Sequence, residues 1–506
     1  MKLNKALLFA LFLLAITSLT ACSGPKRAGC VTNCGGGTTV VSLTLRSDAP
    51  PSSPSIISFR VIISGITLNT AAGTSVSLNP NPLPVIELTR LQSDSAFLGT
   101  FPTVAVGTYV SATVSFTTPI ITFLNNTNAT VSGCLVNQIC TVTLTGAGNP
   151  TITTAVFPLT LVANSPIGLS LDFHMSNALS IVAGALTANF SPTPPAPSVL
   201  SVIALPTPNS TLAANQLDLI EDFVGVVSSI VGQTITVQSA TRGTLTATAT
   251  ANTRYDAGPD IANPICVTLN FSCVQLNRVV SIDAVLNKDG TLSIQQFEPL
   301  ANVVQDVAEG TVVSINQLNP AQFTIVLSEK TQAAQASLIA GLNVGDPLQV
   351  SIVSPKPFQV DTKGLLVSPA TLSLFVGGTT TAPLRLGQTV AVRVTSFISA
   401  TPLLIASATT DIVILRWSRF TATASAAFTP TTFNVKNLPG YFFRTLPQQV
   451  QTFAGTPGAD GVTNYDGMLD PTGLMDSSPV AVRALFIENS ADTAQPAFFG
   501  AKVRKP

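Results

Sequence analysis

Charge is the scarcest commodity in this chain. Asp, Glu, Lys and Arg make up 9% of its 506 residues, against about a quarter in ordinary soluble proteins. Basic and acidic residues balance at 24 each, so no net field draws DNA, RNA or an anionic surface. Histidine occurs once, as His174. That nearly excludes zinc enzymes, which need two or three His or Cys ligands. No G-x-S-x-G elbow, P-loop or dinucleotide fingerprint is present. Ser23-Gly-Pro-Lys26 fits S-x-x-K only by its spacing, in a short tether. One Trp and four Tyr supply neither stacking platforms for bases or sugars nor the girdles of an outer-membrane barrel. After residue 22 no run of 18 apolar residues occurs, so no spanning helix is expected.

What remains is Thr, Val, Ser and Asn, which favour strands over helices. From Thr38 to about residue 190 short alternating segments are separated by turn residues, the pattern of an antiparallel sandwich. In Gly107-Thr-Tyr-Val-Ser-Ala-Thr-Val-Ser-Phe, Gly107 makes a turn. Tyr109, Ser111, Thr113 and Ser115 then share one face, and Val110, Ala112, Val114 and Phe116 the other. Residues 191–219 are rich in proline and read as an extended spacer.

Beyond it the chain repeats. Phe223-Val-Gly-Val-Val-Ser-Ser-Ile, Glu309-Gly-Thr-Val-Val-Ser-Ile and Trp417-Ser-Arg-Phe-Thr-Ala each open a hairpin. Each unit then has a return strand: Leu276-Asn-Arg-Val-Val-Ser-Ile, Leu386-Gly-Gln-Thr-Val-Ala-Val-Arg, and Ser478-Pro-Val-Ala-Val-Arg. The middle unit has a further strand, Val344-Gly-Asp-Pro-Leu-Gln-Val. The expected fold is all-β, a sandwich over 38–190 followed by small β units over 220–300, 301–410 and 411–506.

The first residues carry the compartment signal. Lys2 and Lys5 precede a short apolar run and then Leu19-Thr20-Ala21-Cys22-Ser23, a secretory leader whose end resembles the lipobox of bacterial lipoproteins. The resemblance implies cleavage before Cys22, a lipid such as palmitate on it, a tether over 22–37, and anchoring to the cell envelope. Ser23 in place of Asp leans toward the outer membrane. The other six cysteines form close pairs, Cys30/Cys34, Cys134/Cys140 and Cys266/Cys273. An exported chain keeps disulfides, and no pair has the C-x2-C spacing of a zinc knuckle.

Two further resemblances follow from the motifs. Phe59-Arg-Val-Ile-Ile-Ser-Gly-Ile, Ile86-Glu-Leu-Thr-Arg-Leu-Gln, the Gly107-Thr-Tyr strand and Ile167-Gly-Leu-Ser-Leu-Asp-Phe-His-Met resemble the bacterial envelope domain of unknown function numbered 4382. That implies a prealbumin-like sandwich and no established activity. The hairpin and return-strand order of residues 220–506 resembles the envelope family of unknown function numbered 5666, implying two or three OB-like barrels.

Residues with chemical potential are few. His174, in Leu171-Asp-Phe-His-Met, reads as a polar strand residue rather than a base held by Asp172. Glu221-Asp222 at a domain edge and Asp346 in a turn read as solvated, not as a glycosidase pair. Asp460-Gly-Val-Thr-Asn464-Tyr-Asp466-Gly467 lacks EF-hand spacing and reads as a surface turn. Phe442-Phe443 and Phe498-Phe499 read as core. No catalytic residue, cofactor or metal is expected. The expectation is a non-catalytic, lipid-anchored scaffold or binding protein whose partners are the membrane and an envelope protein or polysaccharide, not nucleic acid. The alternatives are a surface adhesion or carbohydrate-binding protein, and an enzyme of unfamiliar type.

Overall fold

The computed structural model describes residues 37–505 except 81–82, 118, 153–156, 193–195, 204–210, 260–262, 333–335, 443–447, 456–460 and 490–494. Among them the chain is almost entirely strand, with two four-residue helices. Residues 38–203 form the sandwich. One sheet orders Leu200–Ile203, Ile167–Phe173, Thr38–Ser47 and Ala96–Ala105. The other is built around the long strand Ser55–Asn69. Between them pack Phe59, Phe173 and Phe190, with ring centroids 5.2–6.2 Å apart.

Three details depart from the sequence reading. Thr38–Ser47 runs parallel to Ile167–Phe173, so the sandwich is not wholly antiparallel. The Gly107 segment is two strands: Gly107–Tyr109 pairs Leu159–Leu161, and Ser111–Phe116 pairs the long strand. The break at Val110 inverts the alternation there. Tyr109 turns inward, with its hydroxyl donating to the Ala105 carbonyl at 2.6 Å, while Val110 faces out. Finally, Leu200–Ile203, inside the proline-rich spacer, is a sandwich strand antiparallel to Ile167–Phe173.

Three five-stranded barrels follow. Barrel 1 uses Gln216–Val231, Thr234–Ser239, Gly243–Tyr255, Val279–Asn287 and Leu292–Ala301. Barrel 2 uses Val307–Ile315, Gln322–Thr331, Pro347–Ile352, Thr389–Ile398 and Ala406–Arg416. Barrel 3 uses Ser418–Ser425, Thr432–Lys436, Gln448–Gln451, Pro479–Phe486 and Phe498–Arg504. Each has the order 1-2-3-5-4, strand 1 antiparallel to strand 4, and strand 3 parallel to strand 5. That is OB topology. Gly225 and Gly310 occupy matching places on strand 1, where it crosses strand 2 so closely that a Cβ would strike the carbonyl oxygen of Gln238 or Val326. The glycine of the repeated Val-Gly-Val and Glu-Gly-Thr motifs is thus a packing requirement.

The barrels do not hang apart. The sandwich bonds to each: Ser42 Oγ donates to the Gly290 carbonyl at 2.6 Å, Thr122 Oγ1 to the Gly345 carbonyl at 2.6 Å, and the Gly440 amide to Ser55 Oγ at 2.9 Å.

Candidate functional site

The scarce charges gather where the four units meet. Eight basic side chains, Arg90, Arg242, Lys363, Arg416, Arg419, Arg483, Lys502 and Arg504, are buried there with eight acidic ones, Asp94, Glu221, Asp222, Asp283, Glu298, Glu309, Glu329 and Asp361. The solvated reading of Glu221-Asp222 is therefore corrected: both are at most 1% exposed.

Local backbone explains how consecutive carboxylates reach one place. Strand 1 of barrel 1 shifts register between Ile220 and Phe223, a bulge that re-aims side chains. Asp222 stands at φ 48°, in the left-handed region that Asp tolerates better than most residues. Arg483 Nη1 donates to Glu221 Oε1 and its Nη2 to Asp222 Oδ2, each at 2.7 Å, while its guanidinium stacks 5.0 Å from the Trp417 ring. Arg419 bridges Asp222 and Asp94, both at 2.5 Å. Lys363 pairs with Asp222, and with Asp283 at 3.0 Å; Lys502 pairs with Glu221 at 2.8 Å.

The sandwich enters through the 3-10 turn Leu88–Gln92, whose Thr89 amide is capped by the Glu87 side chain. This turn delivers Arg90 between Glu309 and Glu329, which face each other across strands 1 and 2 of barrel 2. Like charges so placed repel. Arg90 resolves this by bonding Glu329 and lying 3.6 Å from Glu309. Arg416 holds Glu309 at 3.2 Å and also pairs with Asp361.

The environment splits the ionisations. Burial opposes the Asp94 anion, but Arg419, Arg483 and Arg90 override it and hold its carboxyl down at about 2. Burial likewise opposes Asp222, and Arg483, Lys363 and Arg419 hold it well below the carboxylate range. Arg242 is pulled down to about 10 by burial and by Arg90. Its hydrogen bonds run to the carbonyls of Ser95, Glu221 and Asp222. Burial pushes Glu298 up to about 8; neither of its oxygens has a hydrogen-bond partner among the described residues, and Lys363 and Arg416 offset only part of the cost.

A cleft of about 280 Å³ opens between barrels 1 and 2, near the lower end for small-molecule sites. Val224, Ile265, Val279 and Leu300 form one wall, Val307, Ala391, Ile412 and Ile414 the other. Glu309, Glu329 and Arg416 reach it from the hub. Lys330 also lines it, but its ammonium is committed to the carbonyls of Ile339, Ala340 and Leu342. A hollow of about 340 Å³ between the sandwich and barrel 1 is lined by Phe97, Phe101, Pro102 and Arg242 among others.

The residues singled out in the sequence are scattered. Cys134–Cys140 and Cys266–Cys273 are disulfides, with S–S distances of 2.04 and 1.99 Å. Cys22, Cys30, Cys34, Phe443 and Asp460 lie outside the described residues. Phe442, Phe498 and Phe499 are buried. Asp346 caps its turn, accepting from the Asn343 amide at 2.8 Å. Asp466 is held by Arg46 and Arg504, each at 3.1 Å. Among the described residues no group of three or more His, Cys, Asp or Glu is placed to hold a metal ion, and no helix is long and apolar enough to cross a membrane.

His174 does not sit mid-strand beside a carboxylate base-holder. It follows the strand's end and stands at the N-cap position of the helix Met175–Ala178, without a side-chain capping bond. Its Nε2 lies 3.1 Å from Ser201 Oγ and its Nδ1 3.7 Å from Asp48, while Asp172 pairs with Arg46 at 3.5 Å. The nearby Asp48 carboxylate raises the imidazole pKa. That contribution is fully present below the unfolded value and fades as pH rises through the folded one. His174→Ala should therefore cost more at pH 5 than at pH 8, by about 1 kcal/mol at most for a part-exposed pair. Thermal melts at the two pH values check it; an equal cost at both would remove the Asp48 linkage.

Comparison with known protein families, curated proteins and solved structures finds no match.

Proposed function

We propose that this chain is a non-catalytic, lipid-anchored protein of the bacterial cell envelope, held by Cys22 and acting as a rigid binding scaffold. The observation that supports the scaffold reading most is the hub itself. Its charges neutralise one another across four units instead of converging on a reacting group. Glu309 and Glu329, the only carboxylates that line the interbarrel cleft among the described residues, clamp Arg90 and are poorly placed to exchange protons with a substrate. The cleft, apolar with a polar floor, suits a small ligand with an apolar body. The lipobox sequence and the resemblance to the two envelope families support the envelope compartment.

Metabolic labelling with a fatty-acid probe tests the anchor. Wild type should label and Cys22→Ser should not; equal labelling ends the lipoprotein reading. The binding role is tested in a deletion strain complemented by Ile414→Trp, which fills the cleft from its wall. The variant should fold and be exported yet behave as the deletion does. Full complementation would remove the cleft from the function.

A further inference from the structure

The hairpin joining Thr389–Ile398 to Ala406–Arg416 in barrel 2 carries an uncharged, aliphatic tip. No charged residue lies between Arg393 and Asp411. Ile398 is 69% exposed, Leu403 93%, Leu404 71% and Ile405 45%. Scattered exposed aliphatics are ordinary, but four large ones on one protruding turn are not. The matching hairpin of barrel 1 is short and polar, Lys288-Asp-Gly, and packs on the sandwich through the Gly168 amide and Ser42.

We infer that this tip dips into the lipid interface and forms a second membrane contact beside the N-terminal lipid. Three observations favour lipid over a protein partner. First, the turn closes on itself through backbone bonds. Thr401 and Leu404 exchange amide-to-carbonyl bonds at 2.8 and 3.3 Å, and Thr401 Oγ1 accepts from the Leu403 and Leu404 amides. Strand pairing continues out to Ile398 and Ser407. A segment entering hydrocarbon needs that closure. Second, the tip has no aromatic ring or guanidinium, the groups that anchor protein interfaces. Third, charge resumes only at the hairpin base, where Arg393 and Asp411 pair. The base is about 16 Å from Ile398 along an extended strand. That leaves room for the 5–10 Å of penetration typical of interfacial elements.

The inference rests on the proposed anchor for its setting. Cys22 precedes the first described residue, Gly37, by fifteen positions, a reach of at most ~50 Å, so the body stays beside the bilayer.

The experiment uses the chain of residues 23–506, which lacks Cys22 and so carries no lipid but keeps every described element. It is mixed with phosphatidylethanolamine–phosphatidylglycerol vesicles and floated. The parent should co-float, and high salt should change this little because the tip is uncharged. Leu403→Asp/Leu404→Asp should lower co-flotation about ten-fold or more while its circular dichroism is unchanged. Leu403→Trp adds a reporter, since the native Trp417 is fully buried. Its emission should shift to the blue on vesicle addition. Absence of that shift, or co-flotation indifferent to the Asp pair, overturns the inference. So does a parent dimer, seen by sedimentation, that the Asp pair abolishes, which would assign the tip to a second copy. Because this chain carries no lipid, failure here leaves the Cys22 labelling result standing, and failure of the labelling leaves this one.

Discussion

Arg483→Met should loosen all four units together. The substitution keeps much of the side-chain volume over Trp417 but strips Glu221 and Asp222 of the guanidinium that bonds both at 2.7 Å. Each carboxylate is essentially unexposed, so water cannot replace the lost partner. Breaking a buried pair from one side costs about 3–5 kcal/mol, far more than a surface bridge at about 0–1. Denaturant unfolding followed by Trp417 fluorescence should report this loss in one transition, since the indole lies under the missing group. Asp222 keeps Arg419 and Lys363 in that variant, so a double-mutant cycle with Asp222→Asn reads only the coupling between Arg483 and Asp222. A single-variant cost below about 1 kcal/mol would mean the hub is wet and its charges are not structural.

Glu298→Gln should act in the opposite direction, and only across part of the pH range. With its folded pKa raised to about 8, native Glu298 keeps a proton that the unfolded chain releases near 4.5. Native stability therefore falls as pH rises between those values and levels off above them. At about 1.4 kcal/mol per unit, the penalty reaches the order of 3 kcal/mol by pH 7. Gln does not titrate, so the variant should gain on the parent steadily from pH 5 to 8, whatever constant offset its amide adds. The acid limb should be unchanged. It belongs to Asp94 and Asp222, whose lowered pKa values stabilise the fold above the unfolded carboxylate range and cease to do so as pH falls toward 2. Melts of parent and variant that run parallel from pH 5 to 9 would contradict the buried-acid assignment.

The fold was readable because its signals are local. Alternation, the strand-1 glycine and the returning Val-Ala-Val-Arg each fit within one strand, and close cysteine pairs need only a short loop. The hub was hidden because its members are far apart. Arg90, Asp222, Glu309 and Arg483 are isolated in sequence, and Glu221-Asp222 looked solvated only because most carboxylates are. One trace was visible. Val390-Ala-Val-Arg393 and Val480-Ala-Val-Arg483 put arginine at the same strand-4 position where barrel 1 has Asp283. In a chain with so little charge, such a residue inside an apolar strand has to be paired. The strand Leu200–Ile203 was missed because flanking prolines outweighed four residues of alternation, although proline stops pairing only at its own position. The contact of His174 with Asp48 is not legible in the sequence because the parallel pairing of Thr38–Ser47 with Ile167–Phe173, which brings Asp48 alongside, cannot be inferred from an alternation pattern.

The repeats invite a modular picture in which barrels can be added, dropped or exchanged like beads. The shared ions argue against it. Excising barrel 3 would take Arg419, Arg483, Lys502 and Arg504 away, leaving Glu221 without its cations and Asp222 and Asp94 without most of theirs. Shortening this protein by one repeat would not give a smaller version of it. A lineage that changes the number of barrels must rewrite the junction residues of the sandwich and of the other barrels at the same time, so change in length and change in these few charged positions should be inherited together.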